Sequence, residues 1–165
     1  GWPNEYLLNI GSNELRARIF ERLKTTISTC AKAGFNAIEF DNLDSHTRSK
    51  GALTAKDAIA FARLLVRETH DKGMAAGQKN AADLSTVGRR EIGFDFVVSE
   101  ECHRFDECAE YTKVYGNQII NIEYAGKLRG TFAKVCADPQ TPKDTVLRDL
   151  NLVPAGSKPY VYKHC

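Results

Sequence analysis

Residues 35–44 read FNAIEFDNLD, which predicts a short strand that ends in acidic residues. Side chains alternate across a strand, so Ile38 and Phe40 fall on one face and Glu39 and Asp41 on the other. Helical patterns flank the strand on both sides, as in a parallel sheet covered by helices. The carboxylates would then point into a sheet or barrel interior, where an unpartnered charge is costly. The alternative interpretation is a strand-to-loop junction with solvated acids.

The rest of the chain alternates strand and helix patterns around this stretch. Further strands are predicted at 5–10, 74–78, 94–99, 118–122 and 145–150. Helices are predicted at 15–31, 54–72, 81–87, 106–115 and 126–135. A capping box at Thr54 and Asp57 opens the second helix. About six strands that alternate with helices predict a parallel sheet, either doubly wound or closed as a barrel.

Polar residues at the carboxyl ends of successive strands distinguish these two architectures. They are Asp41, Lys79 with Asn80, Glu100 and Glu123. A barrel gathers the ends of all its strands around one mouth, whereas an open sheet uses mainly its switch point. No glycine-rich phosphate loop follows any of the strands. We therefore predict one α/β domain over residues 1–165, with the fold of an incomplete (β/α)₈ barrel.

The predicted barrel is short. A complete one needs about 250 residues, so we expect about two βα units to be missing before Gly1. The strand at 5–10 would then open the sheet, with Leu7, Phe96 and Ile119 facing the interior. Two open sheet edges would remain, and unpaired edges favour association with another chain or aggregation.

Composition excludes several classes of function. The 165 residues include 23 basic and 21 acidic ones, spread along the chain, for a net charge of +2. No basic block indicates nucleic-acid binding, and no apolar run approaches the roughly 20 residues of a membrane span. Five cysteines favour an oxidising compartment, and no signal peptide is visible in the chain.

The strand-end carboxylates suggest glycosidic bond cleavage. That reaction needs two carboxyl groups across a pocket, one protonated and one ionised, and Asp41, Glu100 and Glu123 are the candidates. A cation at Lys79 would lower the pKa of a neighbouring carboxylate. The amide of Asn80 could hold a sugar hydroxyl. No cofactor is called for by this chemistry.

Other chemistries remain possible at the same strand ends. Asp41, Asp44 and Glu100 could hold a divalent metal ion in a barrel mouth. The consecutive residues Asp44, Ser45 and His46 cannot form one hydrogen-bonded catalytic row. The segment from Cys102 to Cys108 lacks the usual spacing of zinc ligands, and a disulfide that stiffens the loop after Glu100 explains it better.

Four motifs, taken together, resemble a known family. GFNAIEFDNLD, GQKNAAD, FDFVVSEECHRFDEC and NIEYAG follow in this order and are similar to endo-α-1,4-polygalactosaminidases, glycoside hydrolase family 114. The resemblance runs through nearly the whole chain. It implies a (β/α)₈ barrel that hydrolyses α-1,4-linked galactosamine polymers, and a secreted, extracellular protein.

The resemblance also implies roles for individual residues. Asp41 at the fourth barrel strand and Glu100 at the sixth would be catalytic. Five more positions match the motifs around the substrate pocket: Asn42, Asp44, Lys79, Asn80 and Glu123. The acidic mouth suits a cationic amino-sugar polymer, whose ammonium groups could pair with Asp44, Glu101 or Glu123.

Disulfides are expected between Cys102 and Cys108, from the shared loop motif, and between Cys136 and Cys165, which would tie the tail to the last helix. Cys30 would stay a free, buried thiol.

The chain departs from the family pattern at Asn9, Gly11 and Phe40. The alternatives to a polygalactosaminidase are a non-catalytic polymer-binding relative, an inactive fragment, and a metal-dependent barrel hydrolase.

Overall fold

The structure, a computed structural model, describes residues 4–165. The strands are β1 (Ala37–Phe40), β2 (Ala75–Lys79), β3 (Phe96–Glu100), β4 (Ile119–Tyr124), β5 (Asp144–Arg148) and β6 (Tyr162–His164). The α-helices are α1 (Asn13–Lys32), α2 (Ala55–Asp71), α3 (Ser85–Val87), α4 (Cys102–Phe105), α5 (Cys108–Tyr115) and α6 (Phe132–Ala137). Short 3-10 helices cover Ser45–Arg48 and Ala82–Leu84, and a π-helical turn, Gly88–Ile92, continues α3.

The six strands form one sheet in the order of the chain. The first five strands are parallel, and β6 pairs antiparallel with β5. Helices join the parallel strands, as such connections require. The predicted alternation of strand and helix is therefore confirmed from β1 onward.

Capping side chains fix where the two long helices begin. The hydroxyl of Ser12 accepts the backbone N–H of Leu15 at the start of α1. At the start of α2, Thr54 accepts the N–H of Asp57 while the Asp57 carboxylate accepts the N–H of Thr54. This reciprocal pair is the predicted capping box, and it satisfies two N–H groups that a helix end leaves free.

The sheet has two faces of different character. The inner face carries Glu39, Lys79 and Glu100, and the helix face carries the alternate residues. On the helix face, Ala76 and Val97 pack in one buried cluster with residues of α2 and α5. The register of each pair of strands keeps partnered residues on the same face, so the inner face forms a continuous surface across β1 to β4.

The predicted strand at 5–10 is wrong. These residues run without pairing to the sheet, whose first strand is β1. Leu7 and Leu8 are both exposed, and within 5–10 only Ile10 is buried, against Leu53 and Ala58, so the segment gains little of the apolar burial that stabilises a strand. Its end is held locally, because the Asn9 side chain accepts the N–H of Gly11 and Arg16 donates to the carbonyl of Ile10.

The chain end adds a strand that the sequence pattern did not predict. Strand β6 lies beside β5, and the N–H of Cys165 donates to the carbonyl of Thr145. Disulfides join Cys136 to Cys165 and Cys102 to Cys108, as expected, and Cys30 is free. The Cys136–Cys165 disulfide links the end of β6 to α6.

Candidate active site

Lys79 is the centre of the candidate site. It is the last residue of β2, and its side chain is only 11% exposed. Its Nζ lies 3.2 Å from Oε2 of Glu100, 3.5 Å from Oε1 of Glu39 and 4.0 Å from Oδ1 of Asp41. Burial acts to lower the pKa of Lys79, but these three carboxylates outweigh it and raise that pKa above the ordinary value. The ammonium group therefore stays charged.

Glu100, at the end of β3, is the most firmly held of the three carboxylates. One oxygen accepts the hydroxyl of Tyr124, and the other accepts Nδ2 of Asn80 at 3.0 Å. The Asn80 side chain also accepts the backbone N–H of Glu100 at 2.7 Å. Burial acts to raise the pKa of Glu100, but the bonds from Tyr124 and Asn80 and the charge of Lys79 hold it below its ordinary value. Glu100 is therefore ionised near neutral pH.

The turn after β2 places Asn80 beside Glu100. Asn80 and Ala81 both have left-handed backbone conformations, with φ of 48° and 58°. The buried amide of Gln78 donates to the carbonyls of both residues, and its oxygen accepts the hydroxyl of Tyr115. Gly88 leaves the room for Gln78, since a Cβ there would lie 2.2 Å from the Gln78 oxygen. This anchoring fixes an otherwise strained turn.

Asp41 follows the last residue of β1 and is the most open member of the group, with 60% of its side chain exposed. Its Oδ1 accepts the backbone N–H of Asn42 at 2.8 Å. Because Asp41 and Glu100 both contact the ammonium of Lys79, their nearest oxygens are separated by no more than the sum of those two contacts. Two carboxyl groups about 5 to 9.5 Å apart can act on one glycosidic bond. The structure thus brings the two predicted catalytic residues together.

Glu39 joins this group, although the sequence assigned it no role. It lies two residues before Asp41 on the same face of β1 and contacts Lys79. Burial raises the pKa of Glu39 above its ordinary value, and Lys79 offsets this only in part because Asp41 and Glu100 add repulsion. The period-two alternation that placed Glu39 beside Asp41 was the signal that could have identified it.

Asn42 and Asp44 form a separate group on the loop after β1. The Arg48 guanidinium donates to Oδ1 of Asn42 and to Oδ2 of Asp44, each at 2.7 Å. Asn42 has a left-handed backbone, and its carbonyl accepts the N–H of Ser45. Arg48 therefore already neutralises Asp44, and the ion pairs of Lys79 are with Glu39, Asp41 and Glu100 instead.

Glu123 does not reach the site. Its side chain is on the helix face, 1% exposed, and Oε1 accepts the N–H of His103 at 2.9 Å and Nδ2 of Asn121 at 3.1 Å. The register pairs Glu100 with Ile122, so Ile122 and Tyr124 face the site and Glu123 faces away. The prediction that Glu123 lines the pocket placed it on the wrong face.

The predicted pairing of Asp44, Glu101 or Glu123 with substrate ammonium groups also meets a difficulty. Asp44 is bound to Arg48, Glu123 is buried, and Glu101 is buried against Arg104 at 2.7 Å and Lys127 at 3.9 Å. Asp44 and Glu101 are therefore already paired within the protein, and Glu123 is enclosed on the helix face, out of reach of a substrate. The acidic charge that remains available is the group around Lys79.

Tyr124 was missed because its partner Glu100 lies on the neighbouring strand, in register with the residue two positions before Tyr124. Its hydroxyl binds Glu100, and both burial and this bond raise the pKa of Tyr124 well above its usual range. Tyr124 consequently remains a hydrogen-bond donor to Glu100 at any ordinary pH. No feature of the YAG tripeptide indicates this contact.

Residues 4–165 offer no group of three or more His, Cys, Asp or Glu side chains arranged to hold a metal ion. Of the predicted metal ligands, Asp41 and Glu100 both contact Lys79, whereas Asp44 is paired with Arg48. Within the same range, no helix is both long and apolar enough to cross a membrane.

The fold is similar to that of Ega3 from Aspergillus fumigatus, which was crystallised in complex with galactosamine. The TM-score is 0.74 at 25% sequence identity, over 99% of this chain and 66% of Ega3. This similarity confirms the predicted α/β fold class, with its mostly parallel sheet. The chain spans less than two thirds of Ega3. A search of curated protein sequences found no match.

The motifs that carried the resemblance in the sequence are thus the ones that build the site: FDNLD supplies Asp41, QKN supplies Lys79 and Asn80, and SEEC supplies Glu100. The model of glycoside-hydrolase family GH114 matches residues 1–165. The chain belongs to glycoside-hydrolase family GH114.

Proposed function

We propose that this protein is an endo-acting glycoside hydrolase that cleaves α-1,4-linked galactosamine polymers, with Asp41 and Glu100 as its catalytic carboxylates. The observation that carries the proposal is the contact of both side chains with the single ammonium of Lys79. Family membership and the galactosamine complex of Ega3 support the choice of substrate.

The environments of the two carboxylates favour different roles. Glu100 has its pKa held low and its oxygens bound by donors, which suits an ionised group that faces the positive charge of the reacting sugar. Asp41 is open to solvent and therefore accessible to the glycosidic oxygen. In the proposed reaction protonated Asp41 gives its proton to the departing oxygen as the C1–O bond breaks. A water molecule then adds its hydroxyl to C1, and the proton that this water loses passes to one of the two carboxylates.

Lys79 and Asn80 have positioning roles in this proposal, because both contact Glu100 directly. Asn42 and Asp44 with Arg48 form the rim of the site beside Asp41, where they could contact sugar hydroxyls. The substrate is a polysaccharide outside the cell, and the two disulfides fit such an oxidising location.

The test is release of reducing ends from a fully deacetylated α-1,4 galactosamine polymer. The wild type and Glu110→Gln should release them at the same rate, because Glu110 is an exposed residue of α5 that pairs with Lys113. Asp41→Asn and Glu100→Gln should release them at least about a hundredfold more slowly while remaining folded, with melting temperatures within a few degrees of the wild type. Products of mixed length would show endo action.

Two outcomes would favour the alternative functions instead. A wild type that binds the polymer but releases no reducing ends would be a non-catalytic polymer-binding protein. Activity that disappears with a chelator and returns with a divalent cation would indicate a metal-dependent hydrolase. Wild-type protein that neither binds nor cleaves the polymer would overturn the proposed substrate.

A further inference from the structure

The charges around Lys79 do not balance. One ammonium faces three carboxylates, Glu39, Asp41 and Glu100, all within 4.0 Å of Nζ. With all three ionised, the group carries two negative charges more than positive ones, and with Asp41 protonated, as the proposed reaction requires, it still carries one more. The proposed reaction uses Asp41 and Glu100, whereas Glu39 has no part in it. A bound cation would restore the balance.

Glu39 lies deeper in the site than Asp41. It precedes Asp41 by two residues on the same face of β1 and is in register with Gly77 on β2. Gly77 has no side chain, and the ring of Phe96 from β3 occupies that space, since a Cβ on Gly77 would lie 2.5 Å from ring atoms. The floor between Glu39 and β3 is therefore an aromatic ring, and charge interactions strengthen where water is partly excluded.

The free protein stabilises the ionised form of Glu39 less than that of Glu100. Burial raises its pKa, with repulsion from Asp41 on β1 and Glu100 on β3, and Lys79 on β2 offsets only part of this. Its side chain remains 38% exposed, so an incoming group can reach it. A second cation beside Glu39 would relieve the repulsion, whereas a neutral group would not.

We propose that Glu39 binds the ammonium group of a galactosamine unit and so makes the site select the deacetylated sugar over the N-acetylated one. This inference rests on the proposed function, because it assumes an amino-sugar substrate. Acetylation replaces the ammonium by a neutral, bulkier amide, which leaves the excess negative charge unbalanced and requires more room above Phe96.

The experiment measures binding and cleavage in parallel for the wild type, Glu39→Gln and the control Glu110→Gln. Calorimetry with galactosamine, N-acetylgalactosamine and galactose gives the sugar preference. The ratio of kcat/KM for polymers with and without partial N-acetylation measures the same preference in the cleavage reaction. We expect Glu39→Gln to weaken galactosamine binding about tenfold or more and to leave galactose binding unchanged. The preference for the deacetylated polymer should fall by a similar factor, and Glu110→Gln should match the wild type.

The outcomes separate this inference from the proposed function. A wild type that cleaves the polymer, with the same preference in Glu39→Gln, would overturn the role of Glu39 alone. Equal loss of galactosamine and galactose binding would also overturn it, because Glu39 would then only support the fold or the position of Lys79. A third outcome is that the wild type releases no reducing ends but prefers galactosamine, and that Glu39→Gln loses this preference. That outcome would support the inference and contradict the proposed hydrolysis.

Discussion

Glu100 and Glu123 lie near the carboxyl ends of neighbouring strands, yet their surroundings differ in every respect. Glu100 is on the inner face, 31% exposed, and is bound by side chains of Tyr124, Asn80 and Lys79. Glu123 is on the helix face and binds the backbone of His103 together with Asn121. The first carboxylate is held for contact with a ligand, and the second is enclosed within the protein.

The two carboxylates face opposite sides of the sheet because Glu100 is in register with Ile122, and Glu123 is the next residue along that strand. Side chains alternate along a strand, so a residue that is one position out of phase with Glu100 points to the opposite layer. Position at a strand end is therefore insufficient to identify a site residue. The register with the neighbouring strand decides whether the carboxylate lies on the inner face or on the helix face of the sheet.

The largest expected effect is a difference in turnover between variants of Glu100 and of Glu123. Glu100→Gln should slow the release of reducing ends from galactosamine polymer by at least about a hundredfold, because its ionised oxygens are lost from the reacting centre. Glu123→Gln should change turnover less than about threefold, since the amide oxygen can still accept the His103 N–H. Equal losses in both variants would break the comparison and show that strand-end position alone had been a sufficient guide.

The free energy of unfolding should depend on the Glu123 carboxylate, which binds groups within the protein. Glu123→Ala leaves the half-buried N–H of His103 and the buried Nδ2 of Asn121 without this acceptor, and a buried donor that loses its partner costs about 1 to 3 kcal/mol. Denaturant unfolding should show this loss for Glu123→Ala and a smaller one for Glu123→Gln. A free energy of unfolding unchanged by Glu123→Ala would mean that the carboxylate is not what holds the α4 backbone.

The pH profile tests the charge that surrounds Glu100. Lys79→Met removes the ammonium that helps to lower the pKa of Glu100, so that pKa should rise. The acidic limb of the kcat/KM profile should then move to higher pH, because Glu100 must be ionised to act. Lys113→Met, which alters an exposed pair with Glu110, is the control and should leave the limb in place. A limb that does not move would assign Lys79 to substrate contact.

The smallest expected effect concerns two carboxylates on the same ammonium with opposite pKa shifts. Glu100 has a lowered pKa, so its contribution to stability is present above its unfolded pKa and is lost as pH falls through its folded pKa. Glu39 has a raised pKa, so its ionisation removes stability as pH rises from the unfolded to the folded pKa.

Melting temperatures measured from below to above the ordinary glutamate pKa of 4.5 test this difference in sign. Relative to the wild type, Glu39→Gln should become more stable across that range and Glu100→Gln less stable. The effects should be a few degrees at most, since both side chains are partly exposed. Differences of the same sign in both variants would contradict the opposite environments.

Much of the fold and part of the site followed from local patterns. Strands β1 to β5 were predicted within a few residues because each has β-branched or apolar residues bounded by turn signals. The capping box at Thr54 and the partners Asp41, Lys79, Asn80 and Glu100 were predicted because each depends on strand or helix position alone.

The residues that were missed depend on contacts between distant segments. In Ile119–Tyr124, isoleucines lie on both faces of the strand, so the hydrophobic pattern does not show which face is inner. The prediction that Ile119 faces the interior was wrong, because Ile119 packs in the cluster on the helix face. Strand β6 has only three residues, and its pairing with β5 depends on the sheet that precedes it. At 5–10, an alternating pattern exists without a paired neighbour, and pairing is what makes a strand.

The covalent link between α6 and β6 has a consequence for how damage to this protein would appear. The segment from Leu150 to Tyr160 contains exposed apolar side chains and connects β5 to β6. A protease that cut there would leave β6 hydrogen-bonded to β5 and attached through Cys136–Cys165. The nicked protein would migrate as one intact species on a gel without reductant and would release a short peptide only when the disulfide is reduced.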